Sequence, residues 1–590
     1  MARRRTTVVD DPHDDIVAYY RERLARPAVL PWKDLPWEPV RIGPTWETEG
    51  GHWKLPEQTL GWDGLAFCGT WLKHDNGDPW RFTDEQARWW LWWYAVDSDG
   101  RFVYRDGVLQ RLKGWGKDPV GACLLFTEAF GPCRFDRWDN DRPTSRDVPN
   151  AWVQTAAVAL EQTKNTMRLF PVLVTDDAKR HFGVQIGKEL VHGLDDTRLI
   201  QAVTSSPTTL EGARSTFVLK NETQHWDSSN DGHEMADVIE RNQTKSPDGG
   251  ARSLAITNAY EPSNESVAQN DREAWEKVHA GGAVNVGLLY DSLEAPAEAP
   301  LSPDREPDEP DDDYESRRAS IITDVVSSIR GDSTWLDVPT ILKSILDIRN
   351  PPSRSRRFWF NQITATEDAW VSPQEWDASA DPAFEVQPKA IITLGFDGSL
   401  SDDDTALIGC HVDGDHLFSL GIWSPPKNGE VDRRAIDRAV RAAFELYDVV
   451  GFYADLHPWE SYIDAWTDEF VGAPPKSGLV VKSSLKQPIA WDMRDRGGKL
   501  QKFTEACERL QAAIIEPGGL THDGSRRFRI HALNARRAPN KWGVSVRKEH
   551  RESARKIDAV PAAVLARLAR MDYVALPPSR RRKARSGKVW

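Results

Sequence analysis

Short apolar runs alternate with helical patterns through the first part of the chain. Apolar residues at 107–109 lead into a glycine-rich turn and then into an apolar, helix-like segment that starts near Asp118. Residues 152–169 show a helical pattern. Three short apolar runs come after it, at 170–174, 216–219 and 253–257. Because strand-like and helical segments alternate, the pattern predicts an α/β domain with a mostly parallel sheet.

A helix start precedes the glycine-rich turn. Thr83 can cap the N-terminus of a helix, and Gln86 stands three residues later, as in a capping box. The tryptophan and tyrosine run at 89–94 is apolar on nearly all sides. This pattern favours a buried helix over an exposed platform that stacks on a ligand.

A second set of apolar patterns begins near Lys389. It comprises a strand that ends in a turn, a hairpin or meander of two strands, a fourth strand and two helices. The strand that ends in a turn is predicted at 390–399, and the two strands of the hairpin or meander at 406–412 and 417–423. The fourth strand is predicted at 449–455, and the two helices at 432–447 and 557–570. The pattern therefore predicts a second domain that also mixes strands and helices.

The composition of the chain excludes several classes of protein. The chain has 590 residues, enough for two or more domains. It has no apolar run long enough for a membrane span and no apolar segment typical of a secretory signal. Its five cysteines form no C-x-x-C pair, which argues against a disulfide framework or a zinc site. A net charge of −14 argues against a protein that coats nucleic acid, but it permits an enzyme with a local basic groove.

Changes in composition along the chain predict its division. We expect an irregular N-terminal extension, a first domain, a second domain and a basic tail, at 1–60, 61–375, 385–575 and 576–590. Within the first domain, prolines and acidic residues at 294–315 predict a disordered or extended loop. Helical patterns at 316–330 and 338–348 follow this acidic loop, and together they predict a lid or linker subdomain.

The glycine-rich turn has much of the pattern of a phosphate-binding loop. Gly114 and Gly116 would let backbone N–H groups approach an anion, and the following helix would point its positive end at the same place. The usual pattern is G-x-x-x-x-G-K-[ST], which Gly116 and Lys117 match. Arg111 replaces the first glycine, and Asp118 replaces the hydroxyl residue. Taken alone, the turn fits a surface loop with a solvated lysine equally well.

A later strand end offers the side chains that a phosphate loop needs for ATP hydrolysis. The apolar run at 216–219 leads to Asn221 and Glu222. Glu222 can orient and deprotonate the attacking water. Asn221 can hydrogen-bond a water molecule but brings no negative charge to Mg²⁺, and Asp118 can compensate with a carboxylate near the ion. A simple turn at the end of a strand is the alternative.

Three aspartates stand at the ends of predicted elements in the second domain. Asp397 and Asp455 end strands, and Asp558 opens the last helix. If they converge, they can hold two Mg²⁺ or Mn²⁺ ions, which prefer oxygen ligands and can clamp the attacking and leaving oxygens of a phosphodiester. Taken singly, each aspartate fits a turn or a helix cap.

Several segments together match the motifs of one protein family. In the first domain they are Thr83-Asp84-Glu85-Gln86 and the segments 100–105, 153–162, 218–226, 256–259, 289–292 and 356–362. In the second domain they are Phe396-Asp397-Gly398-Ser399 with Asp403 and Thr405, Tyr453-Ala454-Asp455, His531 with Asn534, and Lys556-Ile557-Asp558-Ala559 with Lys548 and Glu549. By these motifs, residues 61–571 resemble the large terminase subunit of tailed bacteriophages.

The resemblance implies roles for residues of the first domain. Gln86 would contact adenine, and Lys117 would bind the β and γ phosphates of ATP. Glu222 would be the catalytic carboxylate. Thr257 and Asn258 would couple hydrolysis to motion.

Three departures from the family pattern fall in this ATPase centre. They are Asp118, Asn221 and Lys113, which stands where the family usually has an arginine that stabilises the γ phosphate. Arg111, two residues earlier, is the other candidate for that task. Lysine lacks the planar bidentate fork of arginine, so we expect slower hydrolysis.

The resemblance also implies the fold, the cofactors and the partners. The fold would be α/β, with a P-loop NTPase domain followed by an RNase H-like nuclease domain. ATP would bind with one Mg²⁺, and the nuclease would hold two Mg²⁺ or Mn²⁺ ions on its three aspartates. Partners would be double-stranded DNA, a portal protein and a small terminase subunit, with a homo-oligomeric ring of about five subunits on the procapsid and no membrane. The protein would act in the cytoplasm of an infected bacterial host, outside the mature virion.

Two other functions fit the same features. One is a DNA repair helicase-nuclease, which combines the same two chemistries. The other is a packaging or docking nuclease whose ATPase is inactive, as the residues at positions 115, 118 and 221 suggest.

Overall fold

The structure is a computed structural model that describes residues 12–204, 212–246, 249–262, 264–303, 305–347, 349–364, 368–401, 403–426, 429–471, 489–492, 498–549, 553 and 555–581. The chain forms two compact units, Met1–Thr364 and Ala365–Trp590. Most of the predicted basic tail lies outside the described residues.

The first unit contains thirteen described strands. They are β1 (Val40–Ile42), β2 (Thr48–Glu49), β3 (His52–Trp53), β4 (Asp106–Gln110), β5 (Arg134–Asp139), β6 (Arg142–Arg146), β7 (Ala151–Ala157), β8 (Gln185–Ile186), β9 (Leu190–Gly193), β10 (Arg198–Thr204), β11 (Phe217–Asn221), β12 (Arg252–Thr257) and β13 (Leu288–Glu294). Its α-helices are Pro12–Leu24, Gly61–Trp71, Asp84–Trp93, Lys117–Phe130, Leu160–Met167, Phe170–Leu173, Asp176–Phe182, Gly232–Gln243, Val267–His279, Asp311–Ile329, Val338–Leu346 and Pro352–Trp359.

Nine of these strands form one sheet in the order β1-β13-β4-β12-β11-β7-β10-β9-β8. The six strands from β13 to β10 pair in parallel, and antiparallel strands lie at both edges. The carboxyl ends of β4, β12 and β11 therefore meet at one edge of the sheet, where α/β folds bind their ligands. The predicted mostly parallel α/β architecture is confirmed.

A tryptophan-rich helix fills the core beside this sheet. Thr83 caps the helix Asp84–Trp93, and its side chain and that of Gln86 form the predicted capping box. Trp89, Trp90 and Trp93 are fully buried, so the run is core, as its apolar character on all sides predicted. The N-terminal helix Pro12–Leu24 packs beside this core, and the hydroxyl of its Tyr20 accepts a 2.8 Å hydrogen bond from the backbone N–H of Phe82.

The second unit is built on a six-stranded sheet. Its strands are β14 (Ile391–Asp397), β15 (Thr405–His411), β16 (His416–Trp423), β17 (Asp448–Asp455), β18 (Ala490–Trp491) and β19 (Thr521–His522), and a separate hairpin is formed by β20 (Arg536–Asn540) and β21 (Gly543–Arg547). Its α-helices are Pro373–Ala378, Arg433–Leu446, Glu460–Trp466, Gly498–Ile515, Arg526–Asn534 and Ala559–Val574. The sheet order is β18-β17-β14-β15-β16-β19, in which β14, β15 and β16 are antiparallel neighbours and β17 runs parallel to β14.

The last helix, Ala559–Val574, crosses the face of this sheet at close range. The hydroxyl of Thr393 donates a 2.7 Å hydrogen bond to the carbonyl oxygen of Ala566. A Cβ atom on Gly395 would lie 1.9 Å from the carbonyl oxygen of Ala562. Gly395 in the strand β14 and the alanines of the helix are small, so the helix backbone can approach the strand that carries Asp397.

Replacing Gly395 by alanine is expected to lower the free energy of unfolding of the second unit by about 3 kcal/mol, because the added methyl group collides with helix backbone that cannot rotate away. Urea unfolding followed by circular dichroism measures this. Gly498→Ala is the matched control, since a Cβ atom at Gly498 meets nothing within 4 Å. Equal midpoints for the two variants would contradict the predicted close packing.

Three segments differ from the sequence predictions. The predicted helix at 152–169 is the strand β7 followed by the helix Leu160–Met167, because β7 lies between β10 and β11 and this pairing overrides the helix propensity of its alanines. The apolar run at 170–174 is a short helix whose Pro171 stands in the first turn. The acidic loop ends earlier than predicted, since Asp311 begins a helix whose first turn holds three aspartates near its positive end.

The contacts of residues 368–378 also differ from the predicted division. Trp370 donates its backbone N–H to the carbonyl oxygen of Ala535 at 2.9 Å, and Trp376 stacks on His522. These contacts join the segment to the second unit, whereas the predicted first domain, 61–375, included its residues 368–375.

Candidate functional site

The glycine-rich turn joins β4 to the helix Lys117–Phe130, as predicted. Gly114 and Gly116 adopt φ angles of +85° and +102°, a left-handed backbone that favours glycine. The helix therefore begins directly after the turn, with the backbone geometry that brings N–H groups and the positive helix end to one point. The turn can cradle a phosphate group.

Lys117 lies folded over the carbonyl groups of this loop. Its Nζ atom donates hydrogen bonds to the backbone oxygens of Arg111 and Leu112 at 2.9 and 3.1 Å. Burial lowers the pKa of the Lys117 amine to about 8, although the charges of Glu222 and Asp118 act in the opposite direction. A buried amine of this kind gains from a polyphosphate, which brings further negative charge next to it.

ATP affinity is expected to fall as the pH rises above about 8, by up to tenfold per pH unit. The direction of this change in affinity follows from proton linkage. Bound phosphate raises the pKa of Lys117, so ATP binding above about pH 8 requires the uptake of a proton. Equilibrium binding of ATP between about pH 7 and about pH 9.5 tests it. Lys117→Arg should bind ATP more weakly, but its arginine stays charged, so its ATP affinity should not show this fall with pH. The same pH dependence of ATP affinity in the wild type and in Lys117→Arg would contradict the prediction.

Arg111 is not placed where it could stabilise a phosphate. Its side chain is fully buried and forms ion pairs with Glu85 at 2.9 Å and Asp291 at 2.5 Å. Its Nη1 atom donates to the backbone oxygens of Gln110 and Asp291. Because these contacts hold the guanidinium inside the core, the suggestion that Arg111 takes the role of the family's arginine does not agree with the structure.

Lys113 is the basic residue of the loop that faces solvent. Its backbone N–H is anchored by a 2.9 Å hydrogen bond to the carbonyl oxygen of Phe358, and its Nζ atom lies 5.4 Å from the centre of the Phe358 ring. The positive charge of Lys113 contributes to lowering the pKa of Lys117, so both amines act on the same region. Of the two candidates for a γ-phosphate contact, only Lys113 is placed at the loop surface.

The carboxylates near Lys117 come from Asp118 and Glu222. Burial raises the pKa of Asp118, and the negative charge of Glu222 adds to this shift. Glu222 follows the last residue of β11 and has a φ angle of +55°. The two side chains therefore meet from different elements at the phosphate loop.

Asn221, by contrast, is turned toward neighbouring elements. Its Nδ2 atom donates to the hydroxyl groups of Thr155 at 3.0 Å and Thr166 at 2.9 Å. Its Oδ1 atom is buried and has no hydrogen-bond partner among the described residues. The amide thus ties β11 to β7 and to the helix Leu160–Met167.

Gln86 lies on the other side of the loop. A Cβ atom on Gly116 would be 3.4 Å from its Nε2 atom, while its Oε1 atom accepts the backbone N–H of Thr83. Gln86 also lines a mostly apolar cavity of about 330 Å³ that opens beside Gly116. This is the size and character of a small-molecule pocket.

The predicted coupling residues are hydrogen-bonded to both parts of this site. The hydroxyl of Thr257 donates to Gln224 Oε1 at 2.6 Å, and Gln224 Nε2 donates to Glu222 Oε2 at 2.6 Å. Asn258 Nδ2 donates at 2.8 Å to the carbonyl oxygen of Arg111, which also accepts from Lys117. A continuous set of hydrogen bonds therefore connects β12 with the phosphate loop and with Glu222.

In the second unit, the three predicted aspartates also come together. Asp397 and Asp455 follow Phe396 and Ala454, which are register partners in the parallel strands β14 and β17. Burial raises the pKa of Asp397 far above its usual value, and the negative charges of Asp558 and Asp455 add to the shift. Burial likewise raises the pKa of Asp558. These directions are those of carboxylates crowded into one poorly solvated place.

The side chains of this group have the chemistry that a divalent cation needs, but the structure does not arrange them as a metal site. The donor set is made of oxygens, which Mg²⁺ and Mn²⁺ prefer, and Asp558 Oδ2 is buried without a hydrogen-bond partner among the described residues. No three His, Cys, Asp or Glu side chains in the described part of the chain already form a metal-holding cluster. The metal ligands predicted here, and Asp118 in the first unit, therefore stay predictions.

Comparison with known proteins identifies the family. No model of a known protein family matches the chain. The gene 13 protein of Mycobacterium phage L5 is 42% identical to it in an alignment that covers 94% of this chain and 98% of the phage protein. The gene 13 protein of Mycobacterium phage D29 is also 42% identical, with the same two coverages. The chain belongs to the family of the mycobacteriophage gene 13 proteins.

A solved structure that this gene 13 family member resembles is the crystal structure of the large terminase of bacteriophage HK97. The alignment covers 87% of this chain and 100% of the HK97 chain, at 16% identity and a TM-score of 0.45. Within the described residues of this family member, no helix is long and apolar enough to cross a membrane.

Sequence reasoning missed two groups of residues around these sites. Gln224 lies in the same motif as Glu222, and only the fold brings its amide between Glu222 and Thr257. In the second unit, Asp404 lies 3.2 Å from His531, whose Nδ1 atom accepts the first backbone N–H of the helix Ala559–Val574. The sequence motif before Asp558 includes His531, but nothing in the sequence indicated that Asp404 is its partner.

Two lysines surround the carboxylates of the second unit. Lys548 forms an ion pair with Asp403, and Lys556 lies 2.9 Å from the same carboxylate. The positive charge of Lys548 also acts to lower the pKa of both Asp397 and Asp558. The structure therefore places the positive charge of Lys548 near the buried carboxylates.

Proposed function

We propose that this chain is the large subunit of a phage terminase. It hydrolyses ATP to translocate double-stranded viral DNA into a procapsid, and it cuts the DNA concatemer with a metal-dependent endonuclease. The observation that carries the proposal is the presence of two separate centres in one chain. One unit has a phosphate loop with Lys117 beside two carboxylates, and the other has Asp397, Asp455 and Asp558 crowded together.

In the ATPase centre, the loop amides and Lys117 bind the phosphates of ATP, and Lys113 reaches the γ phosphate from the loop surface. A Mg²⁺ ion bound with ATP would neutralise charge on the phosphates. Glu222 accepts a proton from the attacking water, and Asp118 supplies the carboxylate that Asn221 lacks. Gln224 is hydrogen-bonded both to the Glu222 carboxylate and to Thr257 at the end of β12. Through these bonds, ATP hydrolysis at Glu222 can shift the end of β12.

In the nuclease centre, Asp397, Asp455 and Asp558 would hold two Mg²⁺ or Mn²⁺ ions. Such ions polarise a phosphodiester and lower the pKa of a water molecule. The raised pKa values of Asp397 and Asp558 support this role, because crowded carboxylates gain from a bound cation. Lys548, held by Asp403, presents its amine to the DNA backbone beside the carboxylates.

The proposed activity sets the surroundings in which the protein acts. Its partners are DNA, a portal protein and a small terminase subunit, and about five copies form a ring on the procapsid. It works in the cytoplasm of an infected bacterium and leaves before the virion matures. These assignments rest on the sequence resemblance.

Two assays on the purified full-length chain test the proposal. Linear duplex DNA should stimulate ATP hydrolysis without strand separation, and plasmid DNA should be cut only with Mg²⁺ or Mn²⁺ present. Unwinding of a forked duplex would instead identify a helicase-nuclease. A protein that neither hydrolyses ATP nor cuts DNA would contradict the proposal in both of its parts.

A second candidate is a packaging or docking nuclease with an inactive ATPase. The position of Asn221 favours it, because the Asn221 amide is bound to Thr155 and Thr166 and provides no charge for a metal ion. Metal-dependent cutting without DNA-stimulated ATP hydrolysis would support this candidate over the motor.

A further inference from the structure

A tryptophan from a distant part of the sequence lies over the phosphate loop. Trp335 belongs to the turn between the helices Asp311–Ile329 and Val338–Leu346, and 53% of its surface is exposed. Its Nε1 atom donates a 3.0 Å hydrogen bond to the carbonyl oxygen of Gly114. A Cβ atom on Gly116 would lie 3.1 Å from its six-membered ring. The indole therefore borders the loop at the two glycines that would receive phosphate.

Other contacts hold the turn in this position. Asp332 accepts the backbone N–H of Glu85 at 2.7 Å and donates its own backbone N–H to the Glu85 side chain at 3.2 Å. The hydroxyl of Ser333 donates to the carbonyl oxygen of Trp115 at 2.9 Å. Since these contacts fix the residues directly before Trp335, the fold holds this large, half-exposed apolar ring at the loop.

Trp335 forms one wall of the cavity of about 330 Å³ beside Gly116. Leu169, Val172 and Leu173 also line the cavity, and the stacked rings of His74 and Trp80 add an aromatic surface. Gln86 contributes a side-chain amide, while Lys73, Asp75 and Arg81 contribute charged groups. Flat apolar walls with an amide beside a phosphate loop suit a heteroaromatic base.

We propose that Trp335 is the residue that stacks on the base of the nucleotide bound at this loop. The inference rests on the proposed ATP site and adds the group that recognises the base. Stacking of a base on an aromatic side chain changes affinity by about tenfold. Because the same indole is hydrogen-bonded to Gly114, the base and the phosphates are read by neighbouring parts of one surface.

Binding measurements with two probes test this role. ATP presents both a base and phosphates, whereas inorganic tripolyphosphate presents phosphates alone, and both are used with Mg²⁺. Trp335→Ala should weaken ATP binding about tenfold and leave tripolyphosphate binding unchanged. Trp335→Phe keeps an aromatic face and should bind ATP nearly as the wild type does.

The matched control is Trp138→Ala, since Trp138 is a partly exposed tryptophan of the β5–β6 hairpin that does not line this cavity. It should bind both probes as the wild type does. Equal ATP affinity of Trp335→Ala and wild type would overturn the inference, as would an equal loss for both probes, which would assign Trp335 to support of the loop. A wild-type protein that binds neither probe would overturn the ATP site itself, and the inference with it.

Discussion

Asp397→Asn is expected to lower the rate of metal-dependent cleavage of plasmid DNA by at least about a hundredfold. The negative charges of Asp455 and Asp558 act on Asp397, and the three carboxylates together form the proposed cation site. An amide at position 397 removes one negative charge and one good ligand, so the site should lose its divalent ions. Conversion of supercoiled plasmid with increasing Mg²⁺ or Mn²⁺ measures the effect.

The stability of the same variant provides a second readout. The folded-state pKa of Asp397 is raised, so its ionised form is disfavoured by the fold, and this cost is present at pH values above the normal pKa of aspartate. Asp397→Asn should therefore unfold at the same temperature as wild type or at a higher one in the absence of metal. Loss of cutting with intact folding separates a role in chemistry from damage to the structure.

Asp413→Asn is the control for Asp397→Asn. Asp413 is an exposed aspartate in the turn between β15 and β16, so its substitution removes the same charge from the same sheet without touching the carboxylate group. It should cut DNA at the wild-type rate. Unchanged cutting by Asp397→Asn would remove the nuclease assignment from these three aspartates.

Glu222→Gln is expected to lower ATP hydrolysis by at least about a hundredfold while ATP still binds, because removal of a general base affects the reaction more than the binding of substrate. Lys117 and the loop amides, which bind the phosphates, are unchanged in this variant. A glutamine at position 222 can still accept the hydrogen bond from Gln224, so the hydrogen-bonded connection to Thr257 is kept. Steady-state hydrolysis with linear duplex DNA, together with ATP binding at equilibrium, measures both quantities.

Glu234→Gln supplies the comparison for this ATPase variant. Glu234 is an exposed residue of the helix Gly232–Gln243, and the neutral side chain there should leave hydrolysis unchanged. If the wild type is active and Glu222→Gln hydrolyses ATP as fast, the assigned base is wrong. If the wild type itself hydrolyses ATP no faster than a protein-free control, the candidate with an inactive ATPase is favoured.

The sequence by itself determined the elements that depend on local patterns. The run into Gly114 and Gly116 has the order of strand, loop and helix because glycine permits the left-handed turn that this connection needs. Asp397 and Asp455 were found because apolar runs end at them, and the carboxyl ends of parallel strands lie on one edge of a sheet. Local chemistry of this kind is visible in a few consecutive residues.

The tertiary structure decided where side chains point and which distant segments meet. Arg111 stands in the loop sequence, yet it pairs with Glu85 and Asp291 because the core offers it two carboxylates. Residues 151–157 look helical but become a strand between two parallel neighbours. Trp335 reaches Gly114 through a turn far along the chain. Such contacts depend on how elements pack, and packing is set by the whole chain and not by any one segment.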